Sequence, residues 1–210
     1  MKNILIITIC FIKIAMNLLL AADISKEKVF NDLIKKHGII TTINAICSNN
    51  EADLIDVNIK AKQGNKYSIK TKHIEMFCDG IVIWNYNSIR KSVIISNFDA
   101  ENSQNIFSLD NLFFNVLPNL EPIKLQTVVS NKKNKQYRLD LYNKNRSAEI
   151  KEVYLYLDQK LTKIEGIEVI TNNIKIAPKW DIKKLEINKS IPDSTFRFKV
   201  PNDVDVIDTR

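Results

Sequence analysis

The sequence predicts a mainly β protein of the α+β class, with about eleven strands in a large antiparallel sheet and two or three helices set against it. Three observations carry this reading. Beyond residue 39 the apolar residues recur mostly with period two, the mark of a half-buried strand. The links between these runs are short, which suits hairpins, since parallel strands need long crossovers. Two segments return to helical spacing, one before the strands and one midway along them. With 210 residues, 45% of them apolar, the chain can fill one sizeable core, and two domains would be crowded.

The N-terminus reads MKNILIITICFIKIAMNLLLAADISKE. Lys2 supplies a basic start, an apolar run follows, and Ala21-Ala22 places small residues before Asp23. This is the pattern of a secretory signal peptide over residues 1–22, cut near Ala22, with a single domain over 23–210. Lys13 breaks the apolar run, which argues against a membrane-spanning helix. Losing residues 1–22 removes Lys2 and Lys13 and no acid, so the net charge of +7 becomes about +5.

DISKEKVFNDLIKKHG places Val29, Phe30, Leu33 and Ile34 on one side of a helix, with Asp23 or Ser25 as cap and Gly38 as its end. IITTINAIC, LIDVNIKA, KYSIKT, IEMFC, IVIWNY and KSVIIS follow as six strands. LIDVNIKA sets Ile55, Val57, Ile59 and Ala61 against Asp56, Asn58 and Lys60, and Asp79-Gly80 turns the chain within MFCDGIVIWNYN. In NSQNIFSLDNLFFNVLPNL, Ile106, Leu109, Leu112, Phe113, Val116 and Leu117 recur at i, i+3 and i+4. This predicts an apolar helix stopped by Pro118. IKLQTVV, QYRLDLYN, IKEVYLYLD, KLTKIEGIEVI and the KKLEIN stretch supply the remaining strands.

The residues point to no catalysis and to no cofactor. His37 and His73 are far apart and lack partners at metal-ligand spacing. Gly38, Gly64, Gly80 and Gly166 are isolated, so no glycine-rich phosphate cradle forms, and no Gly-x-Ser-x-Gly elbow occurs. The lysines are scattered apart from a short KKNKQYR cluster, which suits solvated faces and protected strand edges better than nucleic acid. Cys47 and Cys78 remain after export, either as a disulfide or as two buried thiols. Trp180, flanked by charges, reads as a surface or edge aromatic, and Asp205 and Asp208 as a solvated tail. What remains is binding. A curled sheet either closes and fills with its own side chains or stays open and holds a ligand. Removable apolar helices over an open sheet suit a carrier of something greasy.

Three stretches carry a resemblance that spans essentially the whole mature chain. FCDGIVIWNYN resembles the strand–SDG–LW.Y signature of the LolA-type periplasmic lipoprotein carriers of Gram-negative bacteria, with Cys78 where Ser is usual. VYLYLDQKLTKI is similar to a second strand motif of that family. INKSIPDSTFRFKVPNDVDVID matches its closing segment through Ile191, Pro192, Asp193, Phe196, Phe198 and Pro201.

The resemblance implies an unclosed antiparallel β-barrel whose concave face is covered by helices, with acyl chains bound between. It also implies a periplasmic monomer that takes acylated lipoproteins from an inner-membrane, ATP-driven lipoprotein-releasing transporter and passes them to an outer-membrane acceptor, without a cofactor of its own. On that reading Tyr67, Ile69, Val82, Trp84, Tyr86, Ile106, Leu109, Phe113 and Val116 line the lipid cavity, unless they simply pack beneath the helices. One departure stands out. The family carries an Arg, usually followed by Pro, before the strand that here reads KYSIKT, and that Arg latches the lid. Here Lys62 and Gln63 stand near that position, and Lys62 is a weaker fork than Arg for such a latch. Two other readings share the fold: a sensor or regulatory domain that binds lipidated ligands without transport, and a filled barrel with no cavity.

Overall fold

The computed structural model describes residues 24–49, 54–99, 111–129, 135–145, 147–171 and 179–210. The expected signal peptide lies outside them, as do Ile106, Phe107 and Leu109. The first described element is helix α1, Lys26–Leu33, capped by Ser25, whose Oγ accepts a hydrogen bond from the Lys28 N–H at 3.1 Å. It buries Val29, Phe30 and Leu33. A short 3₁₀ turn, Lys35–His37, follows and ends at Gly38 with φ +63°, a conformation that favours glycine.

Among the described residues twelve strands form one sheet. In chain order they are β1 Thr42–Asn49, β2 Leu54–Lys62, β3 Lys66–Lys70, β4 Ile74–Asp79, β5 Val82–Asn87 and β6 Ser92–Asn97, then β7 Glu121–Val129, β8 Lys135–Tyr142, β9 Ile150–Leu157, β10 Ile164–Thr171, β11 Trp180–Ile187 and β12 Asp205–Asp208. Their spatial order is β12-β6-β5-β4-β3-β2-β1-β11-β10-β9-β8-β7. Neighbours are antiparallel except β12, which runs parallel to β6. β12 and β7 are the two edges, so the sheet is unclosed, as expected, with one strand more than the sequence suggests. That strand is the tail DVID, whose residues are exposed but paired along β6.

The chain between β6 and β7 passes from one end of the sheet to the other. Its described part is a π-helical turn, Leu112–Val116, and a 3₁₀ turn, Leu117–Asn119. Pro118 does not stop this helical stretch. It sits in the first turn of the 3₁₀ segment, where a missing N–H costs nothing. Leu112, Phe113, Leu117 and Leu120 are buried and join α1 and one face of the sheet in a single core.

Alternation holds in most strands and fails where the backbone bulges. Ile55 is 59% exposed rather than facing inward with Val57, because Asp56 takes φ +53° and adds a residue to β2 opposite β1. Trp180 is 6% exposed and belongs to the core. Its charged neighbours Lys179 and Asp181 are what period-two alternation puts beside an inward residue. Cys47 and Cys78 are both buried and not joined to each other. Burial pushes the Cys47 thiol up to about 12.

Candidate functional site

The core face of the sheet can be followed strand by strand through its register. Ala45 opposes Ile59, Ile59 opposes Ile69, Ile69 opposes Met76, Met76 opposes Asn85, and Asn85 opposes Ile94. On one side of this row Cys47 opposes Val57, and on the other a parallel row runs through Ile43, Ala61, Tyr67, Cys78 and Ile83. Burial fades along these rows. Ala45, Ala61 and Ile59 are at most 2% exposed, Tyr67, Ile69, Met76 and Ile83 are half-buried, and Ile94 reaches 45%. Among the described residues the face therefore runs from a filled core at the centre to a less buried shelf over β4–β6, where Met76, Ile83 and Ile94 sit beside Asn85 and the buried Cys78. The helical turns carrying Phe113 and Val116 lie on this face too, Phe113 fully buried and Val116 half-buried against the core.

Tyr67, Ile69, Phe113 and Val116 are thus gathered on one face. Val82, Trp84 and Tyr86 are not. Phe77 opposes Trp84 while Cys78 opposes Ile83, so the aromatic set of β5 looks to the opposite, outer face. There Phe77, Trp84, Tyr86, Val93 and Ile95 form a second apolar layer, and the C-terminal chain covers it. The Phe198 ring centre lies 5.2 Å from Phe77 and 5.1 Å from Tyr86. The concave side of the hairpin is left to Met76, Cys78 and Ile83. A cue was present in the sequence: FRFKV brings Phe198, an aromatic that needs an aromatic bed.

Lys62 also faces outward. Its Nζ meets Asp193 Oδ1 at 2.7 Å, and Lys66 Nζ meets Oδ2 at 2.6 Å. These two cations hold the Asp193 carboxyl down to about 2. Lys62 therefore ties the C-terminal segment to the outer face, since alternation sends it out with Lys60 and away from Ala61. Gln63 turns the other way and donates from Nε2 to the Ile40 carbonyl at 3.0 Å, in the chain leading from α1. Asn188, with φ +57°, fastens the same stretch: Oδ1 accepts from the Thr41 N–H at 2.8 Å, and Nδ2 donates to the His37 and Ile39 carbonyls. Gln63 drew notice only as the neighbour of Lys62, and Asn188 none at all, because its bonds span about 150 residues of chain.

Among the described residues no group of His, Cys, Asp and Glu could hold a metal ion. No helix there is long and apolar enough to cross a membrane. What the concave face offers chemically is mainly apolar side chains, a surface complementary to an aliphatic chain.

No protein-family model matches the chain, and no curated protein matches it in sequence. Solved structures do. An uncharacterised conserved protein from Thermus thermophilus is 12% identical, with TM-score 0.46, over 87% of this chain and 98% of that one. A putative outer membrane lipoprotein-sorting protein domain from Vibrio parahaemolyticus is 10% identical, with TM-score 0.34, over 75% and 88%. A LolA superfamily protein from Nitrosomonas europaea is 12% identical, with TM-score 0.35, over 82% and 95%.

Proposed function

We propose that this protein is a periplasmic carrier that shields the acyl chains of lipoproteins on their way from the inner to the outer membrane. The observation that carries the reading is the concave face, where burial falls from Ile59 at 2% to Ile94 at 45% along a row that is apolar except for Asn85. Acyl burial gains about 0.8 kcal/mol per CH₂, so a multiply acylated cargo cannot cross water unshielded. A shelf that is half open binds adequately and still lets go, which a carrier needs. On this reading cargo arrives from an ATP-driven transporter of the inner membrane and leaves to an outer-membrane acceptor. The carrier works as a monomer without cofactor or nucleic acid. Tyr67, Ile69, Phe113 and Val116, with Met76, Ile83 and Ile94, are the residues assigned to the lipid.

Depletion of the protein in its host tests this directly. Lipoproteins should build up at the inner membrane, and acylated protein should co-purify with the carrier from the envelope. If lipoproteins still reach the outer membrane while acylated ligand co-purifies, transport is wrong and lipid sensing on the same face takes its place. A protein that rejects hydrophobic probes altogether overturns both.

A further inference from the structure

The outer face carries a second cavity that the lipid shelf does not use. After β11 the chain crosses this face through the 3₁₀ turn Asp193–Phe196 before pairing as β12. Between that strap and strands β2, β3 and β4 lies a cleft of about 370 Å³, lined by Asn58, Lys60, Ser68, Lys70, Phe77 and Lys199 among others. Arg197 lines it as well, so four cations face a single carboxylate, Glu75. Lys70 is fixed in place, 2.8 Å from Glu75 and with its Nζ 5.0 Å from the centre of the Phe77 ring. Arg197 has only a marginal contact, 3.8 Å to Asp79. Among the described residues Lys60 and Lys199 have no carboxylate partner. The contrast with the adjoining contact is informative. Where Lys62 and Lys66 hold the strap down, Asp193 offsets one of their two charges. In the cleft beside it, the excess positive charge is left over.

We propose that this cleft binds a phosphate ester, as a soluble phospho-compound or a lipid head group. Three of the four cations are lysines, point charges able to hold a phosphate, and Arg197 adds a fork whose geometry also matches phosphate oxygens. An excess of positive charge over Glu75 answers a dianion better than a single carboxylate. Asn58, Ser68, Ser194 and Thr195 add hydrogen-bonding groups for an esterified polyol, and the Phe77–Phe198 pair gives its carbon skeleton an apolar wall. The site lies on the face opposite the shelf, so it does not depend on the carrier reading.

The test titrates the full chain with sn-glycerol 3-phosphate at low ionic strength, followed by amide chemical shifts. A parallel arm measures binding to phosphatidylcholine vesicles with and without phosphatidylglycerol. Saturable shifts confined to β2–β4 and residues 193–199 are expected, with affinity reduced about tenfold or more in Lys60→Ser/Lys199→Ser at an unchanged thermal midpoint. Binding of the soluble ester assigns a soluble ligand, and binding only to the phosphatidylglycerol vesicles assigns a head group. The proposal is overturned if neither probe binds, or if the double variant binds as well as the parent. It is also overturned if a hexaglutamate peptide displaces the ester at equal concentration, which would give the cleft to an acidic protein partner.

Discussion

The two wings of the sheet distribute their apolar surface in opposite ways. In the β8–β9 wing, Leu139, Leu141, Val153, Leu155 and Leu157 face inward and are all 0% exposed. Their outward neighbours are polar: Arg138 pairs with Asp140 through two bonds of 2.7 and 3.0 Å and stacks on Tyr154, and the Tyr154 hydroxyl donates to Glu152. That bond and burial push the Tyr154 phenol up to about 12. The β4–β6 wing carries large apolar side chains on both faces, with Asn85 and Ser96 among them on the inner one. Its outer layer, with Phe77 at 5% and Val93 at 0%, is covered by the C-terminal strap, while on its inner face Met76 and Ile83 are half-buried and Ile94 is exposed beside the buried Cys78. The filled wing serves stability, and the less buried one is where the proposed ligand would lie. A sheet covered on its outer face can leave its inner face less buried.

The sharpest way to break that comparison is to remove the same kind of side chain from each wing. Leu155→Ala should cost about 2–5 kcal/mol in urea unfolding, because it opens a cavity in a full core. Ile83→Ser should cost under about 1 kcal/mol, since its site is already half open, yet weaken the binding of a fluorescent fatty acid severalfold. Equal losses of stability would mean that the two wings are equally filled, and the open shelf would be an illusion.

The strap gives the next largest effect. Phe198→Ala removes a ring stacked between Phe77 and Tyr86 and should cost about 1–3 kcal/mol. In a Trp180→Phe background, the emission of Trp84 should shift to the red as the outer layer becomes wet. An unshifted spectrum would show that the strap does not seal this face. On the polar side of the other wing, Asp140→Asn weakens the two-bond pair with Arg138 and should cost about 1 kcal/mol, measured by the same urea titration.

The strands were legible because alternation is local, and the side each strand turns to the core was not. Leu139 and Leu155 announce their face because their neighbours Arg138, Asp140, Tyr154 and Tyr156 are polar. In IVIWNY both phases are apolar, so period two alone cannot say whether Ile83 or Trp84 looks inward. The larger ring suggests the cavity, and the answer came from Phe198, more than a hundred residues away. Asp56 and Trp180 mark the two other limits. A positive φ at a non-glycine residue shifts the phase of a strand without warning, and charged neighbours in a strand mean burial as readily as exposure. Lys62, read from the sequence as a lid latch, faces outward and pairs with Asp193, a partner 131 residues away that no local pattern announces.

The smallest expected effect concerns that residue and its partner. Asp193 is held down to about 2, against its ordinary 3.8, by Lys62 and Lys66. A depressed carboxylate stabilises the folded state above its ordinary value, and that contribution fades as the pH falls from about 4 towards 2. The carboxylate is fully exposed, so solvent and salt screen it strongly. Asp193→Asn should therefore lower the thermal midpoint at neutral pH by only a fraction of the Phe198→Ala effect, and Lys62→Ala should do the same. The difference from the parent should vanish at about 1 M salt and also below pH 2. Neither change should alter fatty-acid binding, because both act on the outer face. If Lys62→Ala instead changed uptake or release of fatty acid while Asp193→Asn did not, Lys62 would act on the lid after all, and the two faces of this wing would be coupled rather than separate.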